Sequence, residues 1–389
     1  MQRHKPTFHL ACLAALLLVA ALVATDRRVD TSGIRLAPMA REAGPAAGDA
    51  RFFTSTVTRA PRGVAHSPTI IEHEDGALQA VWFQGTTEAG RDVALWSARL
   101  SGEDWSEPVR LFGARDDSQA LGYRVKTIGN PALFHDGAGT LWLAYVNPSI
   151  GGWATSRIAL RRSDDSGASW SPPRQLVTSP LLGMSTLVRF GAVAAEGGLM
   201  ALPAYHELIE DYPFLLLVDG DGRLVGSRRI GRGAGSGIQP LVVEAPEGRF
   251  LSIMRPMRGM EDRLHVSESE DGISWSRARA TGIESASAPA CGVTLAGGDT
   301  LLAYNPDPRI RDRLAFLHID GETGEWRRLP REIRPRRERG HVSYCTMIER
   351  RDGSVAMVFT DTSRRLIRSA EFTPGWLARQ LRVSEPVQP

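Results

Sequence analysis

Residues 135–146 read HDGAGTLWLAYV, a glycine-rich turn followed directly by a run of apolar residues. Five further copies of this arrangement occur in the chain: HEDGALQAVWF (73–83), AEGGLMALPAY (195–205), APEGRFLSIMR (245–255), AGGDTLLAYN (296–305) and RDGSVAMVFT (351–360). Such a turn between two apolar runs is the strongest local signal for a β-hairpin, because glycine accepts the positive φ of a tight turn. Successive turn glycines are 50 to 63 residues apart, which is typical of the four-stranded blades of a β-propeller. The sequence therefore predicts an all-β, six-bladed β-propeller.

The composition is that of an ordinary folded domain. The chain has 389 residues, of which 42% are hydrophobic and 23% charged, values usual for soluble proteins. Its net charge of +3 gives no reason to expect a nucleic-acid partner. One basic cluster stands out at residues 331–339 (REIRPRRER). A basic patch for an anionic polymer and a solvated loop both fit it, and we favour the loop.

The N-terminus predicts export. Three basic residues at 3–5 precede an apolar run at 10–24 (LACLAALLLVAALVA), which is short for a membrane span and fits a secretory signal. Its cleavage pattern is poor, so residues 1–25 are interpreted as a signal peptide or a membrane anchor. In both cases the rest of the chain is expected in the periplasm or outside the cell. We assign residues 26–50 to a flexible tether and 51–389 to the propeller.

Two cysteines remain in the exported part. Cys291 and Cys345 fall early in the predicted inner strands of the last two blades. A disulfide between them is one interpretation, and two buried free thiols are the one that we favour.

The repeat period also predicts which residues meet at the axis. Positions 9 or 10 residues before each turn glycine come together at one end of a propeller, because the blades are related by rotation. Blade 3 is less regular, with Ser185 and Arg189 as its candidates. The other blades contribute His66, Asn130, Gln239, Ala288 and Tyr344. Of these ring positions, Asn130 and Arg189 are expected to bind the substrate.

One segment carries a local motif. Ser163–Trp170 (SDDSGASW) fits S-x-D-x-G-x-[ST]-W at every fixed position, in which Asp and Ser cap a turn, Gly supplies the unusual φ and Trp packs into the blade. A degenerate copy is Glu268–Trp275, with Glu270 in the Asp position. We interpret both copies as structural and not as substrate contacts.

These turns and the segments that start the inner strands together resemble bacterial sialidase (neuraminidase)-like proteins of the BNR/Asp-box repeat family. The resemblance covers about residues 50–375, and the segments are HSPTI (66–70), GNP (129–131), GIQP (237–240) with MR (254–255), and SY (343–344). It implies a site with three arginines that hold a carboxylate, a tyrosine nucleophile, a glutamate that takes the phenol proton and an aspartate acid/base.

The resemblance places Tyr344 at the nucleophile position and Arg255 at the second arginine position. Arg311 suits the third arginine position, with Arg313 as its rival. Asp92 resembles the acid/base aspartate, in competition with Glu88, and a solvated loop carboxylate is the structural alternative.

Two positions depart from the family pattern. His66 stands where the first arginine belongs, and Gln239 stands where the proton-accepting glutamate belongs. Glutamine cannot act as a base, so the phenol of Tyr344, with an ordinary pKa of about 10, lacks its usual activator. His66, His206 and His341 offer another acid or base near neutral pH, although a structural histidine is the competing interpretation.

The sequence thus predicts an exported sialidase-like glycoside hydrolase that releases terminal sialic acid or a related acidic sugar. Two alternatives stay open: a carbohydrate-binding propeller without turnover, and a lyase or hydrolase of uronic-acid polysaccharides. The expected partner is an acidic glycan or polysaccharide. Zinc and nucleotide motifs are absent from the sequence, so we expect neither metal nor cofactor, and we expect a monomer.

Overall fold

Six antiparallel sheets follow one another along the chain in a computed structural model. The structure describes residues 31, 33–39, 49–60, 62–136, 139–178, 184–208, 210–231, 236–257 and 259–389. The predicted all-β, six-bladed propeller is confirmed. The signal or anchor segment, residues 1–25, lies outside the described residues. No helix among the described residues is long and apolar enough to cross a membrane.

The first three blades run from residue 64 to residue 229. Blade 1 contains Val64–Glu72, Leu78–Gly85, Ala94–Ser101, Asp104–Trp105 and Val109–Gly113. Blade 2 contains Gly129–His135, Leu141–Val146, Ile158–Ser163 and Arg174–Gln175. Blade 3 contains Leu187–Val188, Val193–Ala195, Leu199–His206, Tyr212–Val218 and Leu224–Arg229. In each blade the first strand lies nearest the axis.

The last three blades complete the circle. Blade 4 contains Ile238–Ala245, Arg249–Arg255, Arg263–Ser269 and Arg279–Glu284. Blade 5 contains Cys291–Thr294, Thr300–Tyr304, Leu314–Ile319, Trp326–Ile333 and the C-terminal Glu385–Val387. Blade 6 contains Ser343–Glu349, Val355–Asp361, Leu366–Phe372 and Phe52–Arg59. Among the described residues, two α-helices flank the blades, α1 (Ala114–Leu121) and α2 (Pro374–Leu381).

The circle is closed by the strand that precedes blade 1 in the chain. Phe52–Arg59 pairs antiparallel with Leu366–Phe372 as the outermost strand of blade 6. Each sheet packs face to face with its neighbours, so strands such as Leu141–Val146 are buried along their whole length. The core is therefore a set of apolar layers between blades around a common axis.

The turns of the repeat lie together at one end of the axis, which we call the turn end. All six predicted turn glycines have positive φ: Gly76 80°, Gly139 95°, Gly198 71°, Gly248 70°, Gly298 97° and Gly353 79°. The first strand of each blade runs toward this end and the second strand returns from it. The glycines are therefore placed where the tight turns need them.

The opposite end of the axis, which we call the mouth, is where the inner strands begin. Five of the six blades place a non-glycine residue with left-handed backbone there: Ser67 (φ 55°), Asn130 (46°), Ser185 (60°), Gln239 (53°) and Tyr344 (55°). In four of these blades the pairing register with the second strand also shifts at this point. Side chains rarely adopt this conformation, and such strain is typical of functional sites.

Blades 5 and 6 are joined near the mouth by a covalent bond. Cys291 and Cys345 form a disulfide, with Cα atoms 5.5 Å apart, so our preference for two free thiols is wrong. The two inner strands begin beside each other because their blades are adjacent around the axis. The spacing of the cysteines in the sequence could not show that the two side chains lie this close together.

Part of the segment assigned to a tether packs on the propeller. Leu36 is 3% exposed, and its backbone N–H donates to the carbonyl of Asp271 at 2.9 Å. It pairs with Ala195 of blade 3, and a side chain on Gly272 would collide with it. Farther along, the N–H of Met39 donates to the carboxylate of Glu244 at 2.6 Å. Residues 33–39 therefore cross the turn end from blade 3 toward the axis.

The Ser163–Trp170 motif, known as an Asp-box, forms a hydrogen-bonded turn far from the mouth. The carboxylate of Asp165 accepts from the backbone N–H of Ser169 at 2.8 Å, and the hydroxyl of Ser163 accepts from the N–H of Gly167 at 2.8 Å. Hydrogen bonds from Ser169 lower the pKa of Asp165 to about 2. In the second copy Asp271, and not Glu270, accepts the equivalent bonds, so our alignment of that copy was off by one residue.

Candidate functional site

A tyrosine, a glutamine and an arginine from three blades meet at the mouth. One terminal nitrogen (Nη1) of Arg255 donates to the hydroxyl of Tyr344 at 3.1 Å and to Oε1 of Gln239 at 3.0 Å. Tyr344 and Gln239 reach this position because each has left-handed backbone at the start of its inner strand. The structure therefore brings together three residues that are far apart in the sequence.

Arg255 is held in one orientation from its other side. Its Nε and its second terminal nitrogen (Nη2) donate to the hydroxyl of Ser287 at 3.1 and 3.0 Å. Ser287 is next to Ala288, the residue that the period selected in blade 5, but only the serine has a polar side chain to offer. The guanidinium is thus positioned before any ligand arrives.

Arg311 is the second cation of this cluster. Its guanidinium donates to the carbonyl of Ser287 and lies 5.8 Å from the centre of the Tyr344 ring. Arg313, its rival in the sequence, instead pairs with Asp312 and Glu332 on the outer part of blade 5. The structure therefore places Arg311, and not Arg313, beside Tyr344.

The surrounding charges act on the phenol of Tyr344. Burial raises the pKa of Tyr344, but the charges of Arg255 and Arg311 and a hydrogen bond with Gln239 lower it further than burial raises it. The net result is a pKa below the ordinary value. The phenol of Tyr344 therefore loses its proton more easily than that of an ordinary tyrosine, although no described hydrogen bond joins it to a carboxylate.

His66 lies against Tyr344 but is buried. Its ring centre is 4.4 Å from that of Tyr344, its Nδ1 is 2.9 Å from the hydroxyl of Thr360, and it is 2% exposed. Burial, and then the charges of Arg364, Arg189 and Arg311, lower the pKa of His66 well below its ordinary value. His66 is therefore neutral at neutral pH and does not replace the charge of the missing arginine.

Arg189 lies beneath the cluster. It is 1% exposed and donates to the carbonyl of Cys345 at 2.7 Å and to the hydroxyl of Thr346 at 3.3 Å. Burial lowers its pKa to about 10, which still leaves it charged at neutral pH. Its guanidinium lies 5.6 Å from the centre of the Tyr344 ring, so it contributes positive charge from below.

The loop after the second strand of blade 1 reaches the mouth side with two carboxylates. Asp92 accepts from the backbone N–H of Thr86 at 2.7 Å and from its hydroxyl at 2.9 Å, and none of its described contacts reaches Tyr344. Glu88 instead forms an ion pair with Arg364, whose charge acts on His66. Of the two carboxylates, Glu88 is the one linked to the cluster.

No described hydrogen bond joins the remaining predicted residues to the Tyr344 cluster. Asn130 has the left-handed backbone of the mouth positions, but no described hydrogen bond joins its side chain to the cluster. His206 stacks on Tyr212 with ring centres 5.0 Å apart, and His341 is exposed. The described residues contain no group of three or more His, Cys, Asp or Glu side chains placed to hold a metal ion.

Besides Ser287, four residues at the mouth were not found from the sequence, and two of them are Tyr205 and Glu207. Glu207 comes directly after the strand Leu199–His206, and its charge acts on the phenol of Tyr205. Tyr205 accepts a hydrogen bond from Gln239 at 3.3 Å. Burial raises the pKa of Glu207, and the charge of Arg255 lowers it in part. Because Glu207 stands beyond the inner strand of its blade, the offset from the turn glycine could not select it.

The other two residues come from loops. Trp153 is half-buried beside Phe83, with ring centres 6.3 Å apart, and offers an aromatic face near the mouth. Arg364 has left-handed backbone (φ 72°), as do Thr362 and Ser363 before it. Three consecutive residues of this kind have no signature in the sequence that would announce them.

Comparisons with known proteins agree with this architecture. The profile of the BNR repeat-like domain matches residues 76–357. Among curated proteins, no relative matches the sequence. A protein of unknown function from Dyadobacter fermentans is similar in structure, with a TM-score of 0.65 and 16% identity, over 88% of this chain and 99% of that one.

Two sialidase structures are similar as well. The NanB sialidase from Streptococcus pneumoniae has a TM-score of 0.65 and 11% identity, over 82% of this chain and 70% of that one. The leech intramolecular trans-sialidase has a TM-score of 0.65 and 14% identity, over 84% of this chain and 71% of that one. At these identities the likeness shows the sialidase-like fold alone.

Proposed function

The chain belongs to the BNR repeat-like domain family, and from this premise we propose that it is an exported, sialidase-like glycoside hydrolase acting on a terminal acidic sugar. The observation that carries the proposal is the convergence of Arg255 and Arg311 on the phenol of Tyr344. The two arginines can hold the carboxylate of an acidic sugar, and Tyr344 can act as the nucleophile. Sialic acid and related acidic sugars are the substrates to test first.

Substrate binding rests on the two accessible arginines. Planar guanidinium groups bind carboxylates with two parallel hydrogen bonds. Arg255 donates to the hydroxyl of Ser287 and Arg311 donates to its carbonyl, so both guanidinium groups are held next to the same residue. Arg189 is buried below them and holds backbone and hydroxyl oxygens, so it supports the field and does not touch the sugar. Trp153 offers a face on which a sugar ring can pack.

In the chemical step the phenol oxygen of Tyr344 attacks the anomeric carbon, and the bond to the leaving oxygen breaks. The leaving oxygen takes a proton from a carboxyl group of the blade 1 loop, Asp92 in our proposal, with Glu88 as its rival. The phenol proton passes to a carboxylate at the mouth, and Glu207 is the candidate because Gln239 cannot accept it. Water then attacks the same carbon and restores Tyr344.

A binding propeller without turnover is the second candidate, and specific observations favour it. Gln239 cannot act as a base, and the described contacts of Asp92 stay within its own loop. Under this alternative the arginines still hold an acidic sugar, but the sugar is released unchanged. A lyase or hydrolase of uronic-acid polysaccharides is the third candidate and differs in the sugar that it accepts.

The deciding experiment combines fluorogenic sialosides and uronosides with Tyr344→Phe. We expect hydrolysis by the wild type and a loss in kcat of at least ~10³-fold in the variant, with sugar binding retained. Tyr304→Phe, a buried tyrosine in blade 5, is the matched control. Activity that survives Tyr344→Phe would contradict the mechanism, and sugar binding by the wild type without turnover would establish the binding propeller.

The proposed export fits the covalent link between the blades. Disulfides persist in oxidising compartments and are rare in the cytosol, and Cys291–Cys345 is such a bond. Fractionation of cells that express the full chain tests this part, with recovery in the cytosolic fraction as the contrary result.

A further inference from the structure

A pocket lined by arginines opens on the mouth side of blade 6, next to the Tyr344 cluster. Its volume is about 340 Å³, and its walls are Arg59, Arg336, Arg337, Thr362, Arg365 and Leu366. The four arginines come from three separate segments: the end of the closing strand, the basic run at 331–339 and the loop at 361–365. All four are exposed, and no carboxylate lines the pocket.

The acidic groups nearby are already engaged. Asp361 is 0% exposed; its carboxylate pairs with Arg368 at 3.0 Å and accepts from the backbone N–H of Arg336 at 3.2 Å. Arg336 also donates to the hydroxyl of Thr56 at 3.0 Å. Glu338 follows in the chain but does not line the pocket. Arg59 and Arg337 have no ion pair among the described residues, so the pocket keeps its positive charge.

One loop joins this pocket to the candidate active site. Thr362, Ser363 and Arg364 all have left-handed backbone, and the carboxylate of Asp361 holds the start of the loop through Thr362. Arg364 turns toward the cluster and pairs with Glu88, whereas the next residue, Arg365, lines the pocket. The carbonyl of Arg365 accepts from the N–H of Ala60 at 2.9 Å, and this hydrogen bond holds the loop against the end of the closing strand.

We infer that this arginine pocket binds a second anionic group of the glycan, so that the substrate is a chain with charged groups on neighbouring sugars. The ligand class is a carboxylate or sulfate group carried by an oligosaccharide. Guanidinium groups recognise both, and the positive charges of Arg59 and Arg337 attract a polyanion. The inference rests on the proposed function, because the first acidic sugar is taken to lie at Tyr344.

The test measures binding of a monosaccharide and a tetrasaccharide in two series, galacturonate and α-2,8-linked sialic acid, by calorimetry at low salt. All proteins carry Tyr344→Phe, which is expected to bind the sugars without cleaving them. We expect the tetrasaccharide of one series to bind at least ~10-fold more tightly than its monosaccharide, since it adds charged contacts. Arg59→Gln combined with Arg337→Gln should abolish that gain and leave the monosaccharide affinity unchanged. Arg379→Gln combined with Arg382→Gln, on and after helix α2 at the turn end, is the control with the same change in charge.

Each result has one meaning. A gain that is absent from both series, or that persists in the pocket variant, overturns the inference. Monosaccharide binding that Arg255→Gln leaves unchanged overturns the proposed function alone, because the pocket variant reports on the added sugars. A short DNA duplex that binds as tightly as the tetrasaccharide, and loses binding in the same variant, would show an unselective patch and overturn the glycan assignment. Thermal unfolding of each variant verifies that it is folded.

Discussion

The two ends of the propeller axis are built from the same inner strands, yet they follow opposite rules. At the turn end every blade repeats the same solution, a glycine with positive φ between two strands. At the mouth the backbone also turns left-handed in five blades, but the side chains vary: two blades place a serine there, and the other three place Asn130, Gln239 and Tyr344. Strict repetition thus specifies the scaffold, and departure from repetition specifies the chemistry.

The disulfide at the mouth should produce the largest effect on folding. Replacing Cys291 and Cys345 with serine removes a link across 54 residues of sequence, and such links typically contribute about 2–4 kcal/mol. We expect the free energy of unfolding to fall by that amount in urea titrations. Because Cys345 follows Tyr344, activity should fall as well. Equal stability of the oxidised and reduced wild type would contradict the prediction.

One strand offers a comparison of its two ends. Arg255 ends the strand Arg249–Arg255 at the mouth, and Arg249 begins it at the turn end. Arg255→Gln removes a charged donor and should weaken acidic-sugar binding by about 1.5–3 kcal/mol, roughly 10- to 100-fold. Arg249→Gln should leave binding unchanged. Calorimetry measures the sugar affinity of both variants. An equal loss of affinity in the two variants would show that the acidic sugar does not bind at the mouth.

The backbone strain at the two ends should respond in opposite directions. Ser67 in blade 1 has φ 55°, and its buried hydroxyl has no hydrogen-bond partner among the described residues. Ser67→Gly should therefore stabilise the fold by up to about 1 kcal/mol. Gly76→Ala, at φ 80° in the same blade, should destabilise it by about 1 kcal/mol. Urea denaturation measures the change in the free energy of unfolding in both variants. A change of the same sign in the two variants would contradict the prediction.

The smallest effect is a shift in tyrosine ionisation. Burial raises the pKa of Tyr123, Tyr145, Tyr205 and Tyr304, whereas the pKa of Tyr344 is lowered. Tyr344 should thus ionise before these four as the pH rises, and its low pKa adds stability above the ordinary tyrosine pKa of about 10.

The control uses the two rival arginines of blade 5. Arg311→Gln removes a cation beside the phenol and should raise the pKa of Tyr344, while Arg313→Gln should not change it. Ultraviolet difference titration follows the ionisation, and Tyr344→Phe identifies the component that belongs to this residue. An unchanged early component in Tyr344→Phe would assign it to another tyrosine.

The sequence could predict what repeats. The turn glycines and the apolar runs predicted six blades. The positions 9 or 10 residues before the turn glycines include His66, Gln239 and Tyr344, and the structure brings these three residues together. The sequence could not predict burial or its effect on charge. His66 is buried and its pKa is lowered, and this follows only from the folded structure. Ser287, Glu207 and Arg364 belong to segments outside the repeat, so no period could point to them.

Residues 33–39 tie two neighbouring blades together at the turn end. Leu36 pairs with Ala195 of blade 3, and its backbone N–H donates to the carbonyl of Asp271 of blade 4. Blades 3 and 4 therefore cannot separate at this end unless the segment detaches from them as well.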